Sequence, residues 1–85
     1  MNPDHAAISN SLIIFIKENL LAENVNITAE TPFESLGLDS FSIIEIVLFI
    51  ERKFGLELPD GALTKENVYS ASSLARCVQY YLSQK

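Results

Sequence analysis

The stretch Leu36-Gly37-Leu38-Asp39-Ser40-Phe41 decides how this chain is read. It sets a serine at the mouth of an apolar-rich helix, directly after an acidic residue and a glycine-containing turn. Asp39 suits an N-cap, because a carboxylate accepts the unpaired N–H groups of a first helical turn. Ser40 is then the first helical residue, its hydroxyl facing solvent beside the positive end of the helix dipole. A phosphodiester on that hydroxyl would lie where a helix start favours an anion. The stretch offers a point of attachment and no machinery for chemistry.

Downstream of Ser40 the spacing predicts a helix to about Phe54, stopped by Gly55. At about 100° per residue, Ile43, Ile46, Val47, Ile50 and Phe54 gather on one face, which is core. Phe41, Ile44 and Leu48 form a second apolar strip, roughly 130° around the wheel, with Ser40 between the two. Two readings of that strip stand. A helix packed on several sides needs apolar residues around much of its surface. Alternatively, the strip docks a partner beside the serine, flanked by Glu45 and Glu51.

Upstream, Ile8, Leu12, Phe15 and Ile16 recur at helical spacing, widened by Ile13 and Leu20, and predict a first helix from about His5 to Leu21. Pro3 and Asp4 precede it, in keeping with a helix start. A long connection comes next, from Ala22 to Asp39, in which Thr31-Pro32 disfavours continuous helix. A connection of that length is commonly functional or locally packed, and Val25, Ile27, Phe33 and Leu36 are its expected anchors. After Gly55, Leu56, Leu58 and Pro59 read as extended and Asp60-Gly61 as a turn. A short helix around 64–68 is weakly signalled. Ser70 reads as the N-cap of a last helix to about Leu82, with Leu74, Cys77, Val78 and Tyr81 inward and Tyr80 outward. The expected fold is all-α, a small four-helix bundle of three longer helices and a short third one, with a long loop between helices 1 and 2.

The chain has 85 residues, 48% of them hydrophobic and 20% charged, which suits one folded domain spanning 1–85. The longest apolar runs, Leu12 to Ile16 and Ile46 to Ile50, are too short to span a bilayer. The N-terminus lacks the basic-then-apolar layout of a signal peptide, so a cytoplasmic location is expected. The net charge of −5 is unevenly spread: residues 1–60 hold ten acidic and three basic side chains, residues 61–85 one acidic and three basic. An acidic surface repels nucleic-acid phosphates and suits partners with basic patches, although acidity also keeps small proteins soluble. Cys77 is the only cysteine, read as a buried, inert thiol, so no intramolecular disulfide can form. His5 is the only histidine, which leaves a zinc site or a Cys–His pair little support. A serine hydrolase would need a base and an oxyanion hole, and the Gly-x-Ser-x-Gly elbow is absent.

With these residues in place, the chain resembles the acyl and peptidyl carrier proteins over nearly its whole length. The resemblance rests on Phe33-Glu34-Ser35-Leu36-Gly37-Leu38-Asp39-Ser40, on the helix ending Glu51-Arg52-Lys53-Phe54-Gly55, and on Leu56-Glu57-Leu58-Pro59-Asp60. It continues through Glu66-Asn67-Val68, Ser70 and Ser73-Leu74. An Asp-Ser pair alone carries little; framed by Phe-x-x-Leu-Gly and Phe-Gly it is specific. The resemblance implies that Ser40 receives a 4′-phosphopantetheine arm from coenzyme A through a phosphopantetheinyl transferase. It implies that the arm's thiol holds acyl or aminoacyl groups as thioesters, and that the chain is no enzyme. Asp39 would then both cap the helix and contact the transferase, though capping alone also explains it. Phe41, Ile44, Glu45, Leu48 and Glu51 become candidate contacts for an acyl- or aminoacyl-loading enzyme and for downstream synthase enzymes of fatty-acid, polyketide or peptide pathways. Neither catalytic nor metal-binding residues are expected, and a monomer is.

Four departures qualify the resemblance. Ser42 stands where fatty-acid carriers usually have an acidic residue, and Arg52-Lys53 interrupts the acidic run. Phe41 replaces the more usual leucine, and Phe49 occupies a position that is commonly small. A specialised carrier is therefore expected; running from Met1 to Lys85 it looks free-standing, with a domain cut from a larger synthase as the alternative. The competing class is a helical protein-binding module that uses the acidic and apolar second helix and carries no group.

Overall fold

Asp4 caps the first helix, its Oδ1 accepting the Ala7 N–H at 2.8 Å. The computed structural model describes residues 3–21 and 24–84, and in it α1 runs His5–Asn19. Ile8, Leu12 and Ile16 on its inner face are fully buried. Burying each such side chain contributes about 1.5–3 kcal/mol. The helix stops two residues short of the expected Leu21. The Asn19 side-chain amide donates to Phe15 O at 2.9 Å, and Leu20 leaves helical geometry at φ −123°. Leu20 and Leu21 pack on the core from outside the helix.

The connection expected to start at Ala22 begins with Ala22 and Glu23, which lie outside the described residues. Beyond them the loop is pinned at three of the four positions the sequence indicated. Phe33 is 2% exposed, and Ile27 and Leu36 pack against the core. Val25 is half-buried. Backbone bonds do the rest: Phe33 N–H donates to Tyr69 O at 2.8 Å and Ser72 N–H to Ala29 O at 2.7 Å. An isolated antiparallel bridge joins Pro32 to Ser70. A loop that folds back on the start of the last helix in this way satisfies backbone groups that a free loop leaves to water.

Helix α2 spans Ser40–Phe54, and Gly55 ends it at φ 64°, the left-handed conformation that suits glycine. Ile46, Val47 and Ile50 are buried, with Ile43 and Phe54 packed beside them, as the wheel predicts. After a 3₁₀ turn at Asp60–Ala62, helix α3 spans Ala71–Ser83. Its start is a capping box: Ser73 N–H donates to Ser70 Oγ at 3.2 Å and Ser70 N–H to Ser73 Oγ at 2.9 Å. Leu74, Cys77, Val78 and Leu82 face inward, Tyr81 is half-buried, and Tyr80 is exposed. Burial pushes the Cys77 thiol up, and its Sγ lies 3.8 Å from Ala62 O. Helices α1 and α3 are further joined where His5 Nε2–H donates to Ser72 O at 2.9 Å. Ser9 on α1 is 3% exposed, and its hydroxyl has no hydrogen-bond partner among the described residues.

The class is all-α, as expected, with three helices among the described residues. The short third helix expected around 64–68 closes a single turn, through Val68 N–H to Thr64 O at 3.0 Å. Asn67 explains the arrest. Its side-chain amide donates to Ala62 O at 2.7 Å, and its backbone O accepts the Ser73 hydroxyl at 3.0 Å. Those bonds lead the chain onward into α3 rather than into another turn.

Candidate functional site around Ser40

The approach to Ser40 is built by a short 3₁₀ turn, Phe33–Leu36, which Gly37 closes at φ 75°. A residue with a β-carbon is disfavoured there by about 1–2 kcal/mol. Gly37 N–H donates to Glu34 O at 3.2 Å and Leu38 N–H to Phe33 O at 3.2 Å, which fixes the exit of the turn. Asp39 comes next in extended geometry at φ −93°, ψ −175°, and its Oδ1 accepts the Ser42 N–H at 2.9 Å. The expected N-cap is therefore in place. That backbone N–H, and after it the Ser42 side chain, holds the Asp39 carboxyl below its ordinary range. The side chain stays ionised beside the positive end of α2.

Ser40 is exposed at the first position of α2. It borders an open groove of about 540 Å³, lined by Leu38, Asp39, Ser40, Ile43, Ile44, Leu63 and Val68. A long polar arm ending in a thiol, attached at the Ser40 hydroxyl, fits these residues. The attachment atom reaches solvent, the helix start suits an anionic linkage, and the groove gives apolar walls to the groups beyond that linkage. Sequence reasoning did not name Leu63, and it named Val68 only within Glu66-Asn67-Val68, not as a site residue. They come from the segment after Gly55, whose irregular path no periodicity reveals.

The second strip on α2 is solvent-facing: Phe41 is 70% exposed, Ile44 56% and Leu48 47%. Of its two flanking acids, Glu45 is half-buried. Glu51 is half-buried too, and its Oε2 accepts the Leu58 N–H at 3.2 Å, so it also holds the chain beyond Gly55 against α2. Among the described residues, no group of three or more His, Cys, Asp or Glu is placed to hold a metal ion. No helix among them is long and apolar enough to cross a membrane.

Comparison with known proteins gives the family. A family model described as a phosphopantetheine attachment site matches residues 12–78. The acyl carrier protein of Helicobacter pylori is 36% identical over 60 residues, covering 69% of this chain and 77% of that protein. Orsellinic acid synthase of Armillaria mellea is 37% identical over 60 residues, which is 71% of this chain and 2% of the synthase. Among solved structures, the chain superposes at a TM-score of 0.69 and 25% identity on one chain of a complex between Bradyrhizobium japonicum glycine:[carrier protein] ligase and glycylated carrier protein. The match covers 86% of this chain and 96% of that one. A second structure of that ligase, with its cognate carrier protein and an analogue of glycyl adenylate, matches at a TM-score of 0.71. The all-α fold and these matches together define a carrier protein. The chain belongs to the phosphopantetheine-attachment family of acyl and peptidyl carriers.

Proposed function

We propose that this chain is an acyl or aminoacyl carrier whose Ser40 hydroxyl bears a 4′-phosphopantetheine arm, and that it performs no catalysis itself. The observation that carries this reading is the exposed Ser40 at the first position of α2, within the residues matched by the attachment-site model. When bound, the arm supplies a thiol that carries acyl or aminoacyl groups as thioesters. The chain's own residues do the positioning. Asp39 holds the start of α2, and with it the Ser40 backbone, in one geometry for a phosphopantetheinyl transferase to recognise. Ile43, Ile44, Leu63 and Val68 offer apolar cover next to the attachment point.

Phe41, Ile44 and Leu48, with Glu45 and Glu51 beside them, are the proposed docking contacts for the loading enzyme and the downstream synthase enzymes. Large exposed apolar side chains in a row favour protein contact over plain solvation. A glycine:[carrier protein] ligase complexed with glycylated carrier protein among the structural neighbours supports a loading enzyme of the acyl- or aminoacyl-activating kind. A monomer working in the cytoplasm suits this role, because a carrier must leave one partner for the next.

Intact-protein mass spectrometry after incubation with coenzyme A and a broad-specificity phosphopantetheinyl transferase tests the reading. Wild type should gain one phosphopantetheinyl group and Ser40→Ala none. A folded wild type that gains nothing with several transferases would instead favour a binding module that carries no group. Its partner function would then survive Ser40→Ala.

A further inference from the structure

A second groove lies on the other flank of α2, between it and α1. It has a volume of about 600 Å³ and is lined by Phe15, Asn19, Glu45, Leu48, Phe49, Arg52 and Lys53. On the α2 wheel its centre falls roughly 150° from the Ser40 groove, with the exposed Phe41–Ile44–Leu48 strip between them. Phe15 and Phe49 make its floor, stacked with ring centroids 4.4 Å apart and planes at 19°. Leu48 belongs both to this groove and to the strip.

Charge singles the groove out. The first 60 residues hold only three basic side chains, and two of them, Arg52 and Lys53, line it. Both also complement the negative end of the α2 dipole. That role requires cations in the last turn, but it does not require them to border a half-buried aromatic floor. Glu45 lies seven residues earlier, about 10 Å along the axis, so the groove is negative at one end and positive at the other. Its open form suits the side of a helix better than an enclosed small molecule.

We propose that the α1–α2 groove docks an amphipathic helix of a protein partner, seating an apolar side chain on the Phe15–Phe49 stack and a carboxylate on Arg52 and Lys53. An arginine can grip that carboxylate with two parallel hydrogen bonds, which fixes direction as well as charge. The partner is thereby distinguished from one that offers only basic residues to the acidic parts of this chain. The contact deepens the carrier reading by adding a recognition surface away from Ser40, but its geometry does not depend on Ser40 being modified.

The test uses a synthetic helical peptide about 14 residues long, with Leu and Phe on one face and two Glu near one end. A control peptide carries Lys in place of those Glu. Each is titrated at low salt into the full ¹⁵N-labelled chain and followed by NMR. The acidic peptide should shift the Asn19, Leu48, Phe49 and Lys53 amides saturably and bind about tenfold more tightly than the control. The doubly reversed variant Arg52→Glu/Lys53→Glu, checked for fold by circular dichroism, should invert that preference.

Equal affinity for both peptides, no saturable shift, or shifts confined to Phe41 and Leu63 would overturn the proposal. So would the same shifts produced by decanoate with no response to peptide, or by raising the protein concentration alone. A decanoate response would assign the groove to a small amphipathic acid, and a concentration response to another copy of the chain. Phosphopantetheinylation of wild type and of the same variant, read by mass, separates the two ideas. Loss of Ser40 loading in wild type would defeat the carrier reading and leave the peptide result standing.

Discussion

At Asp39 a carboxylate exposed to solvent is held ionised by the N–H groups it caps, so helix start and pH response share one side chain. Its folded-state pKa lies below the ordinary value near 3.8. The folded form therefore binds fewer protons than the unfolded form as acid is added. The stabilisation is fully present above the ordinary value and is lost as pH falls through the depressed one. Asn in this position caps without titrating, because its side-chain oxygen accepts the same N–H. Thermal melts of wild type and Asp39→Asn at about pH 5 and about pH 2.5 check this. Wild type should lose more of its melting temperature between the two pH values than the variant does, since every other carboxylate is common to both. Identical losses would mean that the charge contributes nothing to the cap. Asp39→Ala, which removes the acceptor, should melt lower than either at pH 5.

Helix α2 divides its residues so sharply that its two faces can be altered independently. Ile50 is fully buried, and truncating it to alanine leaves a cavity costing about 2–5 kcal/mol. Leu48 is 47% exposed, and the same truncation there should stay within about 0.5 kcal/mol. Urea unfolding of Ile50→Ala and Leu48→Ala measures both. If Leu48→Ala proved as costly as Ile50→Ala, the strip would be packing surface rather than docking surface. The core face was legible in the sequence because a helix imposes one period on every residue, and so were the Asp39, Ser70 and Gly55 boundaries; the exposure of the second strip was not, since periodicity left packing and docking both open. The third helix was not. Whether 64–68 coils further depends on Asn67 reaching Ala62 and Ser73, side-chain bonds to positions five and six residues away that helical periodicity does not encode. The α1–α2 groove stayed hidden for a similar reason. Phe49 and Arg52-Lys53 stood out as departures within α2, but the stack needs Phe15, which lies 34 positions earlier in the chain.

Across the whole molecule, the loop before Ser40 is fastened to α3 rather than to the helix it precedes. Phe33 fills the core, its N–H bonds Tyr69 O, and Ser72 N–H bonds Ala29 O. Ser72 also receives His5 from α1, so the loop, α1 and the start of α3 meet at one place. A domain of this size has roughly 4–13 kcal/mol of stability in total, at about 0.05–0.15 kcal/mol per residue. Removing the Phe33 ring should cost about 3–5 kcal/mol, a large share of that margin. Because the ring packs where three segments join, the loss should propagate beyond the loop. In Phe33→Ala, amide hydrogen exchange in α1 and α3 should accelerate together with that of Ser72 and residue 33, and the urea midpoint should fall in proportion. Acceleration confined to residues 24–39, with α1 and α3 still protected, would show instead that the loop opens on its own. In that case the Asp39–Ser40 start of α2 would be free to move while the helices behind it stay fixed, and a transferase or loading enzyme would meet a site whose geometry it must itself complete.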